Sequence, residues 1–235
     1  MFYEEDRLKD IVKVDGKFHG AKADINVWKP YIQTKKEFSL AQMWVTAGPV
    51  SEVNSIEVGW QVYPDLYVDD NPRIFIFWTA DGYKSGCYNL DCTGFVSVNK
   101  AFIVGATIKQ DPHTGNWWLK FNENIVVGYW PSKLFNHHNT GATHINWGGE
   151  IINFNDGSRH TTSKMGSGRF AQEGYEKASY FRNLEILDEY DHLRPPERGY
   201  SYMTKESCYN VRSGFDSTWG LNFFYGGPGR NRNCL

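Results

Sequence analysis

The chain of 235 residues is sparing in leucine and carries no 3.6-residue apolar pattern longer than two turns, which argues against a helical domain. No apolar run reaches the ~18 residues of a membrane-spanning helix. The longest uncharged stretch, Leu134 to Gly149, is filled with Asn, His and Gly. Basic charge is not in surplus either. Against 27 Asp+Glu stand 25 Lys+Arg, a formal net charge of -2, so the counterion release that drives nucleic-acid binding has little to draw on. The first fifteen residues are charged and lack the apolar centre of a signal peptide, so the chain reads either as cytosolic or as a mature domain whose leader has been removed. There is no Asn-x-Ser/Thr sequon, no H-x-x-x-H pair and no G-x-S-x-G elbow.

What the chain has is aromatic surface: 15 Phe, 14 Tyr and 9 Trp, residue types that suit a pleated sheet. Strand-length segments recur between turn residues, at Ala21–Trp28, Phe38–Thr46, Val53–Val62, Arg73–Thr79, Phe95–Asn99 and Phe102–Ile108. They continue at Asn116–Phe121, Ile125–Trp130, Glu150–Phe154, Ala178–Leu187, Ser207–Val211 and Trp219–Tyr225, with a hairpin tip at Asn122-Glu123-Asn124. Twelve short strands predict an all-β fold, an antiparallel β-sandwich of two packed sheets. Long surface loops are expected at residues 155–168 and 188–199, within one domain.

The four cysteines allow three disulfide connectivities. Cys87 and Cys92 flank a short turn that can bring them within bridging range, which would leave Cys208 for Cys234. Paired short knuckles of a zinc site are missing from this spacing, so no metal site is expected. Two disulfides would imply an oxidising compartment and hence a secreted protein.

Chemistry-bearing residues are few. In Ile56-Glu57-Val58-Gly59-Trp60-Gln61-Val62, alternation separates the apolar side chains from Glu57, Gly59 and Gln61. Glu57 is then either a solvated glutamate or a group on a working sheet face, where Gly59 admits a second backbone such as a peptide substrate. In Trp147-Gly148-Gly149-Glu150, Glu150 shares parity with Ile152 and Phe154, so a regular strand buries it and a bulge turns it away. A carboxyl forced among apolar groups holds its proton more firmly and can act as an acid. The plainer alternative is an edge residue after a glycine turn. His137, His138 and His144 read as solvated loop residues rather than ligands.

Several tracts, taken together, resemble the neprosin family of plant prolyl endopeptidases. They are Phe38 to Trp44, Ile56 to Val62, Trp78-Thr79-Ala80-Asp81-Gly82-Tyr83 with Gly86 to Leu90, Gly115-Asn116-Trp117-Trp118, and Trp147 to Glu150. The likeness runs from about Gly20 to Leu235, setting residues 1–19 apart as an N-terminal extension before a catalytic domain at 20–235. The resemblance implies a secreted acid endopeptidase, made as a zymogen with an inhibitory pro-domain, that cuts proline-containing peptides on the carboxyl side of proline without a cofactor. It implies that Glu57 and Glu150 form the catalytic pair and that Cys87–Cys92 and Cys208–Cys234 form the family's disulfides. Gln42 and Gln61 are candidate amide donors to an oxyanion. Trp78, Tyr83 and Tyr88 are candidate walls for a proline ring. The competing expectation is a non-catalytic secreted sandwich that binds carbohydrate or cell-wall polymer through surface aromatics.

Overall fold

The computed structural model describes residues 7–98, 105–122, 125–154 and 159–235, with 49% strand and 6% helix. The strands in chain order are β1 (Arg7–Phe18), β2 (Gly20–Ile25), β3 (Ser39–Ala47), β4 (Asn54–Val62), β5 (Arg73–Thr79), β6 (Cys87–Tyr88), β7 (Val96–Ser97) and β8 (Ala106–Gln110). They continue as β9 (Trp117–Phe121), β10 (Ile125–Trp130), β11 (Ala142–Ile152), β12 (Ser179–Leu187), β13 (Leu193–Arg194), β14 (Tyr200–Met203), β15 (Asn210–Asp216) and β16 (Gly220–Gly226). Seven form one sheet in the order β14-β1-β11-β3-β4-β5-β6. The other sheet runs β15-β16-β12-β2-β8-β9-β10-β7, with β13 added beside β12. The sheets do not close, and the fold is a β-sandwich.

Alternation explains which side chains lie between the sheets. Met43 and Val45 of β3, Val58 and Trp60 of β4, and Trp147 and Ile151 of β11 point inward. They meet Ile108, Trp117, Trp130, Phe181 and Phe223 of the facing sheet. Each buried aromatic removes roughly 150–250 Å² from water, an upper bound of roughly 4–6 kcal/mol at about 25 cal/mol/Å². The aromatic excess is thus the material of the sandwich core. Both expected disulfides are present, Cys87–Cys92 and Cys208–Cys234.

The main departure is at the N-terminus. From Arg7 to Phe18, the segment that sequence reading set apart as an extension is a strand built into the seven-stranded sheet between β14 and β11. Its apolar alternation is broken by Asp10, which sits at an inward position beside Leu8 and Val12 yet is 1% exposed. That interruption, with four lysines and arginines in twelve residues, hides the strand in the sequence. The strand expected at Glu150–Phe154 is really β11, which starts eight residues earlier and crosses Gly148 and Gly149 in unbroken register with β3. Strand β15 likewise begins at Asn210 instead of Ser207, and β14 was not anticipated. Asn99, Phe102 and the hairpin-tip residues Glu123 and Asn124 lie outside the described residues, while β9 and β10 pair as the hairpin requires.

Candidate active site

The outer face of the seven-stranded sheet carries the carboxylates. Cross-strand rows on this face run Asn146, Trp44, Glu57, Phe77 across β11, β3, β4 and β5, then Gly148, Gln42, Gly59, Phe75, then Glu150, Leu40, Gln61, Arg73. Glu57 and Glu150 thus stand on strands separated only by β3, on the same face. The face is not solvated. Ile11, Phe38, Leu40, Trp44, Phe75 and Ile152 form a second apolar cluster there, with Tyr63, Phe77 and Tyr88 packed against it. Glu57 is 5% exposed and Glu150 0%. Of the two alternatives for Glu150, the regular strand that buries it is the one found, because no bulge interrupts β11 against β3.

The two carboxylates have different partners. Glu57 Oε2 accepts from Gln42 Nε2 at 2.7 Å, and its Oε1 accepts from Ser55 Oγ at 2.9 Å and Tyr83 Oη at 2.6 Å. Burial pushes the Glu57 carboxyl above the ordinary range, and the Glu150 charge adds to the rise. The hydrogen bonds from Tyr83 and Ser55 and the charge of Arg7 oppose it. Glu150 Oε1 receives Arg7 Nη1 at 2.6 Å, while Glu150 Oε2 is buried without a protein partner. The Arg7 guanidinium also lies 5.7 Å from the centre of the Tyr83 ring and 6.0 Å from that of Phe38. Tyr83 and Arg7 therefore link one glutamate to the other.

Local backbone geometry places these donors. Gly59 faces Gln42 across β3 and β4, and a Cβ there would stand 1.9 Å from Ala41 O and 2.7 Å from Gln42 Cβ. The backbone that needs Gly59 is the protein's own β3; this glycine lets Gln42 settle against Glu57. Tyr83 adopts φ of 63°, unusual for a residue with a Cβ. The turn that enforces it is held by Tyr83 N donating to Thr79 Oγ1 and Ser85 N donating to Asp81 Oδ1. The Asp81-Gly82-Tyr83 sequence thus delivers a phenol to Glu57.

The remaining sequence candidates separate. Gln42 and Tyr83 touch Glu57 directly, and burial pushes the Tyr83 phenol well up. Gln61 shares the face but its Nε2 donates to Tyr67 Oη at 2.8 Å. Tyr88 packs on Phe77 with ring centres 4.6 Å apart, its phenol likewise raised by burial. Trp78 does not join them. Its parity places it with Ile76 and opposite Ile56 on the inner face, against Phe135, so it cannot wall a pocket beside the glutamates.

Sequence reasoning missed Arg7, Ser55 and the face-lining Phe38 and Phe75. It also misjudged His138, which lies in the loop before β11 but is not solvated. Its ring is buried between Trp117 and Phe135, Nε2 meets Val45 O at 3.1 Å, and burial lowers its pKa to about 4. Among the described residues, His160, Cys208 and Cys234 are the group with ligand atoms close enough for a metal, but the disulfide leaves those sulfurs no thiolate.

Comparison with known proteins bears on the fold and the family. In structure the chain is similar to scytalido-glutamic peptidase solved with a transition state analog inhibitor, at 9% identity over 95% of this chain and 98% of that one, with a TM-score of 0.50. It is also similar to SCP-B, a member of the eqolisin family of peptidases solved with the tripeptide Ala-Ile-His, at 10% identity over 94% and 98% of the chains and a TM-score of 0.46. At such identity the first likeness speaks for a shared sandwich fold. The neprosin family model matches residues 35–228, most of the chain, and the protein belongs to the neprosin family.

Proposed function

We propose that this protein is an acid endopeptidase that hydrolyses the bond on the carboxyl side of proline, with Glu57 and Glu150 activating water as a pair. Family membership supports a peptidase. The observation that carries the paired mechanism is the burial of both carboxylates on one sheet face, linked through Tyr83 and Arg7. Two such groups in apolar surroundings resist double ionisation, so one holds a proton while the other is charged. Buried acceptor atoms without protein partners also gather on this face, namely Glu150 Oε2, Gln42 Oε1, Gln61 Oε1 and Asn146 Oδ1. Buried acceptors call for donors, and a water or a substrate N–H supplies them.

The charged carboxylate takes a proton as water oxygen bonds to the proline carbonyl carbon. The protonated carboxyl donates to the oxyanion that forms. The C–N bond breaks as its nitrogen takes a proton from the pair. One water is consumed, a proline carboxyl and an amine are released, and the pair regains its starting proton count. Tyr88, partly exposed and packed on Phe77, offers a flat apolar wall for a proline ring. Secretion is part of the same reading and is supported by the two disulfides. The zymogen and its inhibitory pro-domain rest on the family resemblance alone.

Mass spectrometry of a proline-containing peptide after incubation at about pH 3 to 5 tests the reading. Fragments ending in proline are expected, unaffected by serine, thiol or chelating inhibitors. Intact peptide throughout the acid range overturns it. The carbohydrate-binding alternative retains one observation. Tyr175, Tyr180, Trp219 and Phe224 cluster on the outer side of the other sheet, with the Tyr180 and Trp219 ring centres 4.5 Å apart, remote from both glutamates.

A further inference from the structure

We infer that Arg7 is a positioning residue of the glutamate pair, holding Glu150 as the charged member that activates water and leaving Glu57 as the proton carrier. The inference rests on the paired mechanism proposed above. It concerns a strand that lies before the family match, which begins at residue 35.

Register puts Arg7 on the working face. Lys9 stands directly opposite Glu150, and Arg7, two residues earlier with the same parity, is opposite Ile152. The Arg7 side chain reaches back to bond Glu150 Oε1 at 2.6 Å, with a side-chain exposure of 23% against 0% for the carboxylate. Two aromatic faces, Phe38 and Tyr83, fix the plane of the guanidinium. With Oε1 occupied, Glu150 keeps one buried oxygen, Oε2, free of protein partners and directed by a fixed cation. That is the arrangement of a base.

Glu57 is held differently. Its three direct donors, the Gln42 amide and the Ser55 and Tyr83 hydroxyls, are all neutral. An ion pair adds the attraction of a full positive charge that neutral donors do not supply, so the direct contact with Arg7 favours the negative charge at Glu150. The charged and titratable groups facing the pair are Arg7 and Lys9 from β1, Tyr63 after β4, Tyr83 from the turn after β5, and Tyr88 from β6, while Arg73 of β5 shares the face and pairs with Asp69. None of the others makes a direct ion pair with Glu57 or Glu150 among the described residues.

The test compares wild type, Arg7→Gln and Arg7→Lys by pH–rate profile on a proline-containing peptide, with melting temperature measured on each. Arg7→Gln should lower kcat by about 10- to 100-fold, the scale of one charged hydrogen bond, and move the acidic limb toward neutral pH by about one unit or more. Arg7→Lys should recover part of the rate and keep the limb near its wild-type place. As a readout free of turnover, carboxyl titration by NMR with side-chain-labelled glutamate should show a larger upward movement in Arg7→Gln than when Glu150→Gln is already present, where only the opposing charge of Arg7 on Glu57 is lost. An unchanged pH profile in an active Arg7→Gln variant overturns the inference and leaves the paired mechanism standing. So does a rate loss in both variants that only follows melting temperature. If the wild type cleaves nothing at any acid pH, the proposed function falls first and this role falls with it.

Discussion

The two faces of the seven-stranded sheet both bury carboxyl groups, and they do so in different surroundings. On the inner face Asp10 lies among Leu8, Val12 and the Tyr209 and Tyr225 rings, with Oδ2 unpartnered. Burial raises its pKa well above the ordinary range, and the nearby Glu206 charge adds to this. On the outer face Glu57 is raised by the same cause but meets three donors, a second carboxylate and a cation within reach. Desolvation alone therefore does not tell the two faces apart. What distinguishes the outer face is a set of groups that oppose desolvation, as the proposed mechanism requires of a proton that transfers.

The sharpest way to break that contrast is to remove ionisation from the outer pair. Glu57→Gln and Glu150→Gln keep shape and hydrogen-bonding capacity, so each should lower kcat on a proline peptide by about 10²–10⁴-fold with the fold retained. The double variant should be scarcely slower than either single, since members of one catalytic set do not contribute additively. Near wild-type cleavage by either variant in a stopped assay at acid pH would dissolve the distinction between the faces. Next in size is Gly59→Ala. Its Cβ would collide with Ala41 O and displace Gln42 from Glu57, costing about 1–3 kcal/mol by urea unfolding and a large part of the activity. Full activity with lost stability would show that Gln42 only fills space.

Much of this contrast is legible in the chain, unevenly. The alternation around Glu57 separates the two faces correctly, and the shared parity of Glu150 with Ile152 forecasts its burial, because both are local properties of a period of two. Trp78 was misplaced by ignoring the same rule, since it sits one residue after Phe77 and so on the opposite face. Arg7 could not be found that way. Its partner lies 143 positions along the chain, and only the pairing of β1 with β11 brings them together. Tyr83 was singled out as a wall and turns out to be a donor, because its left-handed turn conformation is set by Thr79 and Asp81 and leaves no periodic trace.

A smaller effect is expected from Tyr83→Phe, which removes one hydroxyl and keeps the ring stacked on Phe77 and under Arg7. Glu57 loses a donor that opposes its raised pKa, so it holds its proton to higher pH. The alkaline limb of the pH–rate profile should move upward, with kcat lowered about 10-fold, the scale of a hydrogen bond to a charged group. An unmoved limb would mean that Tyr83 serves Arg7 rather than Glu57.

The smallest effect sharpens the comparison from the inner face, where Asp10 takes no part in the proposed mechanism. A carboxyl whose pKa is higher in the folded than in the unfolded state binds protons preferentially when folded. Its stabilising contribution is complete below the unfolded value of about 3.9 and is lost as pH rises through the folded value. Glu57 acts in the same direction, while Asp15, Asp69, Asp81, Asp111 and Asp188, whose pKa values are lowered, act oppositely as pH falls, so the contribution of Asp10 is read from a variant rather than from the wild type alone. Asp10→Asn keeps the size and hydrogen-bonding capacity of the protonated acid and cannot ionise. It should therefore match wild type at pH 4, exceed it at pH 7.5, and leave the pH–rate profile unmoved. Equal stability of Asp10→Asn and wild type at pH 7.5 would show that burial of the Asp10 charge costs nothing, and a shifted rate profile would show that the inner face reaches the glutamates after all.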